Sequence, residues 1–304
     1  MPHPFTSMRR APVFHLRYQT RIAIWGFVFA LPAVLYLAVF NLLPMAQALY
    51  LSFTRYDMLS APTWIGVDNY VSVLSDEDFH HSLWVTFIYV FGTVIPVWFL
   101  SFGVAMLLAR ARVFSGGWRL LLFVPTILPL LTVTLVWKLM FNLRGVVNGL
   151  LAPFGVQPIA WLTDARYANL ALIITSWWHA TSYYMILFLA GLLAVPIVYQ
   201  EAAALDGASA WQRLRHVTLP LMRPTLVLVI VLSIINGFRT FALHYVMTGG
   251  GPGTATEIVP LLIYKTAFAF LDMGGATALS TIYFLMILVF SLVQLRMLQG
   301  DPLE

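Results

Sequence analysis

Six apolar runs divide this chain, each about 20 residues long, the length at which a helix crosses roughly 30 Å of bilayer hydrocarbon. They lie near Ile22 to Leu43, Leu83 to Ala109, Leu120 to Phe141, Leu170 to Val195, Thr225 to Tyr245 and Gly275 to Leu295. With 61% of its residues hydrophobic and 10% charged, a 304-residue chain has too few charges to coat a water-soluble globule. The expected fold class is therefore an all-α integral membrane protein with six transmembrane helices. Ala46-Gln47-Ala48 resembles a cleavage site, but the first run exceeds a signal-peptide core of about 7–15 residues and is read as a retained helix. Cysteine is absent, which excludes disulfides, thiolate metal sites, iron–sulfur clusters and a cysteine nucleophile.

The basic residues set the orientation. Arg9, Arg10, Arg17 and Arg21 precede the first run, Arg110, Arg112 and Arg119 join the second and third, Arg213, Arg215 and Arg223 join the fourth and fifth, and Arg296 follows the sixth. Asp57, Asp68, Asp76, Glu77, Asp78, Asp164, Glu257 and Asp272 gather on the other side. Both termini are expected in the cytoplasm. The net charge of +5 follows from this asymmetry and calls for no nucleic-acid partner. The expected organisation is a tail over residues 1–21, a single transmembrane domain over 22–298 containing a cytoplasmic loop at 196–224, and a tail over 299–304. Residues 44–82 read as an external lid or docking surface and not as a domain.

The cytoplasmic loop carries the most specific pattern. Glu201-Ala202-Ala203-Ala204-Leu205-Asp206-Gly207 is followed after nine residues by Val217-Thr218-Leu219-Pro220. It reads as helix, turn, helix: alanines permit close approach of a partner, Gly207 supplies the turn without a Cβ penalty, and Pro220 stops the second helix. Thr248 to Gly253 is glycine-rich but lacks a Gly-Lys-Ser/Thr ending, so it is read as a turn closing the fifth span and not as a phosphate loop. Gly207-Ala208-Ser209-Ala210 lies in a basic loop outside the membrane, which argues against an intramembrane serine nucleophile. His80 and His81 are adjacent, point apart on a helix, and read as a solvated loop and not as a metal site.

The spacing Glu-Ala-Ala, three residues, Gly, nine residues, a β-branched residue, one residue, Leu-Pro resembles the cytoplasmic loop of ABC importer permease subunits, with Val217 where isoleucine is usual. The resemblance implies that Glu201, Ala202, Ala203, Asp206, Gly207, Leu219 and Pro220 couple the chain to an ATPase. Four further segments resemble the carbohydrate branch, which includes the maltose-type and glycerol-phosphate-type permeases: Leu51 to Thr54, Val67 to Tyr70, Trp161 to Asp164 and Tyr245 to Gly253. Leu205 to Ser209 within the loop is a fifth. One departure precedes the glycines, where Phe238-Arg239-Thr240-Phe241 is followed by Ala242 and not by the aspartate the branch often has. His244 replaces an apolar residue, so the outer half of the fifth span is expected to serve an unusual substrate.

By position, the resemblance places the substrate pathway at Ser176, His179 and Ala180 on the fourth span and Ser233, Gly237 and Thr240 on the fifth. Trp177, Trp178, Tyr183 and Tyr184 surround the first group, as sugar-stacking rings or as an interfacial belt. Arg239 lies about 15 residues into the fifth run, where two readings stay open: it lines the pathway, or it snorkels to the outer interface. Lys138 reads as snorkelling, and Asn236-Gly237 as either a weak helix point or a tight helix crossing.

The expectation is a permease subunit of a binding-protein-dependent sugar importer in a bacterial or archaeal cytoplasmic membrane. The implied partners are a second permease subunit, a dimer of ATP-binding cassette ATPases and a periplasmic or lipoprotein solute-binding protein. No cofactor is expected on this chain, since ATP and magnesium would be bound by the ATPase. Two alternatives remain: an ion-coupled secondary transporter, disfavoured because no run contains Asp or Glu, and an importer of glycerol phosphate, amino acids or peptides.

Overall fold

The computed structural model describes residues 13–110 and 115–298. Arg9, Arg10, Arg112, most of the expected N-terminal tail and the expected tail 299–304 lie outside the described residues. The described chain divides into a unit ending at Leu51 and a second beginning at Ser52.

The first unit is one helical path. Helix α1 (Val13–Leu37) runs through a π-helical stretch (Ala38–Leu42) into α2 (Leu43–Leu51), so the helix continues well past the expected end at Leu43. Proline cannot accommodate the carbonyl four residues before it, and Pro44 puts that conflict at Phe40, inside the π stretch. Thr20–Leu51 is long and apolar enough to span a membrane, and none of its side chains in that window is buried within the chain.

The second unit opens with a clasp. Strands β1 (Thr54–Arg55) and β2 (Thr63–Trp64) pair antiparallel, with Thr54 opposite Trp64. Asn69 at the start of α3 (Asp68–Ser75) donates to the carbonyls of Ser52 (2.9 Å) and Thr54 (2.8 Å), and Tyr70 hydroxyl meets Ser52 Oγ at 2.6 Å. A Cβ on Gly274 would lie 2.2 Å from the Thr54 carbonyl, which explains a glycine where the clasp meets the last helix.

Helix α4 (Glu77–Arg110) is the spine of this unit. After it come α5 (Ser115–Ile127), α6 (Leu130–Met140), α7 (Val146–Leu151) with a short 3-10 turn, and α8 (Ala165–Ala194). Asp164 caps α8 by accepting from Arg166 N and pairs with the Arg166 guanidinium at 2.7 Å. Then follow α9 (Ile197–Leu205), α10 (Ala210–Arg213), a second π stretch (Leu214–Thr218), α11 (Leu219–Leu221), α12 (Arg223–Phe238), α13 (Ala242–Met247), α14 (Val259–Phe268) and α15 (Met273–Leu298). Two core clusters succeed each other along α4. The first holds Val90 and Val94 with Leu172, Phe238 and Tyr283; the second holds Val97, Ala105 and Leu108 with Met185, Phe188 and Val229.

Among the described residues, three helices are long and apolar enough to cross a membrane, and the number rises to six if each of three bent pairs counts as one span. The expected third span is not continuous: α5 and α6 meet at 101°, because Pro129 holds extended backbone (ψ 132) and begins a new helix. The expected fifth span is broken as well, ending its first helix at Phe238 and restarting at Ala242. The ten-residue α14 is too short to read as a span and has no counterpart among the six apolar runs.

Candidate functional site

A cavity of about 640 Å³ lies between α4, α8, α12 and the break before α13, within the roughly 300–1,000 Å³ of small-molecule sites. All seven residues expected along a substrate pathway line it: Ser176, His179, Ala180, Ser233, Gly237, Arg239 and Thr240. They converge because α8 and α12 both pack on α4. The close approach of α12 has a specific cause: a Cβ on Gly237 would lie 3.3 Å from Val90 and from Val94, so glycine here serves a tight helix crossing.

The hydroxyls of this wall are held by aromatic donors and acceptors on α4. Trp98 Nε1 donates to Ser233 Oγ at 2.7 Å, and Ser233 in turn donates to the Ile230 carbonyl at 3.0 Å, so Ser233 acts as an interhelix latch. Tyr89 hydroxyl meets Ser176 Oγ at 2.7 Å. Trp177 turns away from the cavity and donates to the Gly92 carbonyl at 2.9 Å, whereas Tyr183 and Tyr184 do line the cavity. Asn236 Nδ2 donates to the Tyr184 hydroxyl at 3.2 Å across the α8–α12 boundary. His179 is half-buried, and Asn236 and Arg239 are exposed to the cavity space.

Arg239 is not inside a helix. It is the residue after α12, at the break, and its amide bonds back to the Ile235 and Gly237 carbonyls. The break is sustained from a distance, since Tyr283 hydroxyl on α15 donates to the Phe238 carbonyl at 2.7 Å and satisfies a group the lost helical turn would otherwise strand. His244 corrects a second expectation. It is fully buried behind the wall, edge-on to Tyr89 at 4.4 Å between centroids, with neither ring nitrogen hydrogen-bonded among the described residues, and it does not line the cavity. Lys138 does not simply snorkel: its Nζ donates to the Val246 carbonyl at 2.8 Å and ties α6 to the end of α13.

Tyr89 and Thr93 were not anticipated, yet both line the cavity. Their signal was an i, i+4 pair of polar groups within an apolar run, which places both on one helix face.

At the far end of α8 the chain turns by 65° into α9, the first arm of a hairpin. Gly207 adopts φ +81, the left-handed conformation that favours glycine, while Ala208 N bonds the Ala203 carbonyl (2.9 Å) and Gly207 N the Ala204 carbonyl (3.1 Å). That pair of bonds is a Schellman cap. Ser209 then opens the second arm with a capping box: its amide donates to Gln212 Oε1 (2.7 Å) and its Oγ accepts from Gln212 N (3.3 Å). Gln200 Nε2 bonds Thr218 Oγ1 at 2.8 Å and fastens the two arms. Glu201, Ala202, Asp206, Gly207 and Pro220 are exposed, and Ala203 and Leu219 are half-buried. Leu205 and Trp211 stand out at the tip, 89% and 65% exposed. Pro220 stands one residue before the end of the second arm, which runs unbroken from Ala210 through the π stretch to Leu221; the chain then breaks at Met222, bending 73° into α12.

At the opposite end of α13, Gly249, Gly250 and Gly253 all take positive φ in the turn that follows. A Cβ on Gly250 would lie 2.9 Å from Glu257 Oε2 and 3.0 Å from Lys265 Nζ, the two members of a partly buried ion pair. His81 reaches into this loop to bond the Thr254 carbonyl at 3.1 Å.

Residues 99–299, which include the hairpin and most of the cavity wall, match the family described as binding-protein-dependent transport system inner membrane component. The chain belongs to this family. It is a permease subunit of an ABC importer, a transporter component and not an enzyme. Among curated relatives of this permease, the trehalose/maltose transport system permease protein MalF of Thermococcus litoralis is 34% identical over 91% of this chain and 94% of its own length. The sulfoquinovosyl glycerol transport system permease protein SmoG of Agrobacterium fabrum is 33% identical over 88% of each chain. A solved bacterial ABC transporter involved in import of the acidic polysaccharide alginate superposes with a TM-score of 0.82 at 20% identity, covering 93% of this permease and 98% of that chain.

Proposed function

We propose that the permease is one of two membrane subunits of an ATP-driven, binding-protein-dependent sugar importer in the cytoplasmic membrane of a bacterium or archaeon. In this reading the chain crosses the membrane six times with both termini in the cytoplasm, α8 and α12 lying in the membrane and α9 to α11 outside it. The observation that carries it is the cavity on which Ser176, His179, Ala180, Ser233, Gly237, Arg239 and Thr240 converge, walled by hydroxyls, an amide and tyrosines suited to sugar hydroxyls and ring faces. The names of the 33–34% identical relatives support a sugar cargo.

The hairpin from α9 to α11 is the coupling element in this proposal. Its exposed Ala202, Leu205 and Trp211 offer an apolar tip, with Glu201 and Asp206 beside it, to a groove on the ATPase. The hairpin is continuous with cavity helices on both sides, through α8 at its start and α12 at its end. A displacement of the tip is therefore delivered to the two helices that bear five of the seven pathway residues, the other two, Arg239 and Thr240, lying just past the end of α12. ATP binding closes the ATPase dimer and moves the hairpins, the cavity opens toward the loaded binding protein, and hydrolysis restores the inward-facing state.

Affinity purification of the chain from its native membrane in mild detergent, with mass spectrometry of what accompanies it, tests this. A nucleotide-binding ATPase and a second multi-span permease are expected. A lone chain or homodimer, under conditions that keep known importers intact, would overturn the assignment and restore the ion-coupled transporter.

A further inference from the structure

The cavity is rich in neutral donors and acceptors but unbalanced in charge. Arg239 lines it, and among the described residues no aspartate or glutamate does. Among those residues the ion pairs are Arg166 with Asp164 and Lys265 with Glu257, neither involving Arg239. Guanidinium stays protonated at any physiological pH. A charge of this kind within the span of a membrane protein is costly unless water, a counter-charge or a ligand meets it.

Two local ways of discharging that cost are closed. The carbonyls ending α12 would attract a cation through the helix dipole, but they already accept from other donors: Ile235 and Gly237 from Arg239's own amide, and Phe238 from Tyr283. Snorkelling to an interface would carry the side chain away from the cavity, yet Arg239 lines the same space as Ser176 and His179. Ala242, three residues on, lines that space too and brings no carboxylate. Around the cation stand the groups a sugar needs, the Tyr183 and Tyr184 rings, Asn236 and the Thr240 hydroxyl.

We infer that the cargo is a sugar bearing an anionic group, a uronate or sugar phosphate, and that Arg239 binds the anion. The guanidinium fork suits a carboxylate or phosphate through two parallel hydrogen bonds, which an ammonium could not supply in the same geometry. The rest of the wall then reads hydroxyls, and charge selects the class. This inference rests on the sugar-importer reading above and narrows it to acidic cargo.

The test uses the intact importer, purified through this chain and held nucleotide-free in lipid nanodiscs, with equilibrium dialysis of three labelled probes. These are cellobiouronate, its neutral counterpart cellobiose, and glucose 6-phosphate. One of the anionic probes should bind at least about tenfold tighter than cellobiose, the scale of one charge-assisted hydrogen bond, and the preference should shrink as salt rises. Which probe it is distinguishes a carboxylate from a phosphate cargo. Arg239→Gln should erase the preference, so that the anionic probe binds this variant no more tightly than cellobiose does. Ala242→Asp should erase it too, by placing a carboxylate beside an intact Arg239, and so guards against a misfolded arginine variant.

Equal binding of all three probes to the unaltered importer would overturn the inference and leave the sugar reading standing. The inference falls in the same way if Arg239→Gln weakens charged and neutral probes alike, as expected were the arginine paired with a carboxylate of the second permease. Binding of none of the three would remove the sugar reading and the inference together.

Discussion

The hairpin and the cavity are built on opposite principles. The hairpin closes within its own stretch of chain: Ala203 to Gln212 contains a Schellman cap, a glycine at φ +81 and a capping box, each bond spanning no more than five residues. The cavity draws its wall from Tyr89 to Leu243, and its shape depends on bonds between helices far apart in sequence. Trp98 reaches Ser233, and Tyr89 reaches Ser176. A local motif can be altered by one residue and fail alone, whereas a distributed wall loses its shape by degrees.

The sharpest break should come at the turn. Gly207→Pro forces φ near −65° where the chain holds +81 and removes the amide that bonds Ala204, so uptake by the whole importer should fall at least about tenfold. Membrane yield should stay normal, and near-normal uptake at normal yield would show that the turn is dispensable. Next in size is an overpacked wall. Gly237→Val adds side-chain atoms where even a Cβ stands 3.3 Å from Val90 and Val94, and should cost about 1–3 kcal/mol, read as a lower unfolding midpoint in detergent. ATPase association should survive that change, which separates the two regions.

Smaller effects sharpen the contrast. Ser233→Ala strands Trp98 Nε1 and should cost about 1 kcal/mol of stability, detected as faster amide exchange along α12. Ser209→Ala removes the hairpin cap for a similar cost of about 1 kcal/mol, but exchange should quicken only over α10 and the π stretch behind it. If both variants loosen the same helices, the separation of local and distributed construction is wrong. The smallest effect belongs to a group in neither region. Asp164 carboxyl is held below its ordinary value of 3.8, first by the hydrogen bond from the Arg166 side chain and then by the Arg166 amide. A depressed folded-state value means that the contribution is complete above about pH 4 and fades as pH falls below it. Because solvent reaches both members of the pair, Arg166 most fully, midpoints measured from pH 6 to pH 3 should differ only slightly between the protein and Asp164→Asn, and only at the acid end.

The same contrast governs what sequence could reveal. The runs were legible because hydrophobic length is a local quantity, and the hairpin because its glycine and its alanines stand at fixed spacing. The breaks were not. Pro129 signals a stop, yet a proline inside an apolar run is compatible with a straight or a bent span, and only packing decided for 101°. The break at Arg239 depends on a hydroxyl 45 residues away on α15, for which the local sequence holds no sign. The positions of six wall residues came from resemblance and that of Arg239 from a charge within an apolar run, while Tyr89 and Thr93 escaped because tyrosine and threonine in such a run have ordinary structural roles.

The latches from α4 have a mechanical consequence. Trp98 to Ser233 on α12, Tyr89 to Ser176 on α8 and Trp177 on α8 back to Gly92 bolt three helices into a single plate. A plate of that kind tilts as a whole, and its natural pivots are the places at its margins where helical continuity is already lost, after Ala194, at Met222 and at Arg239. One of those pivots carries the guanidinium of the cavity wall, so whatever grips Arg239 also puts a load on a hinge.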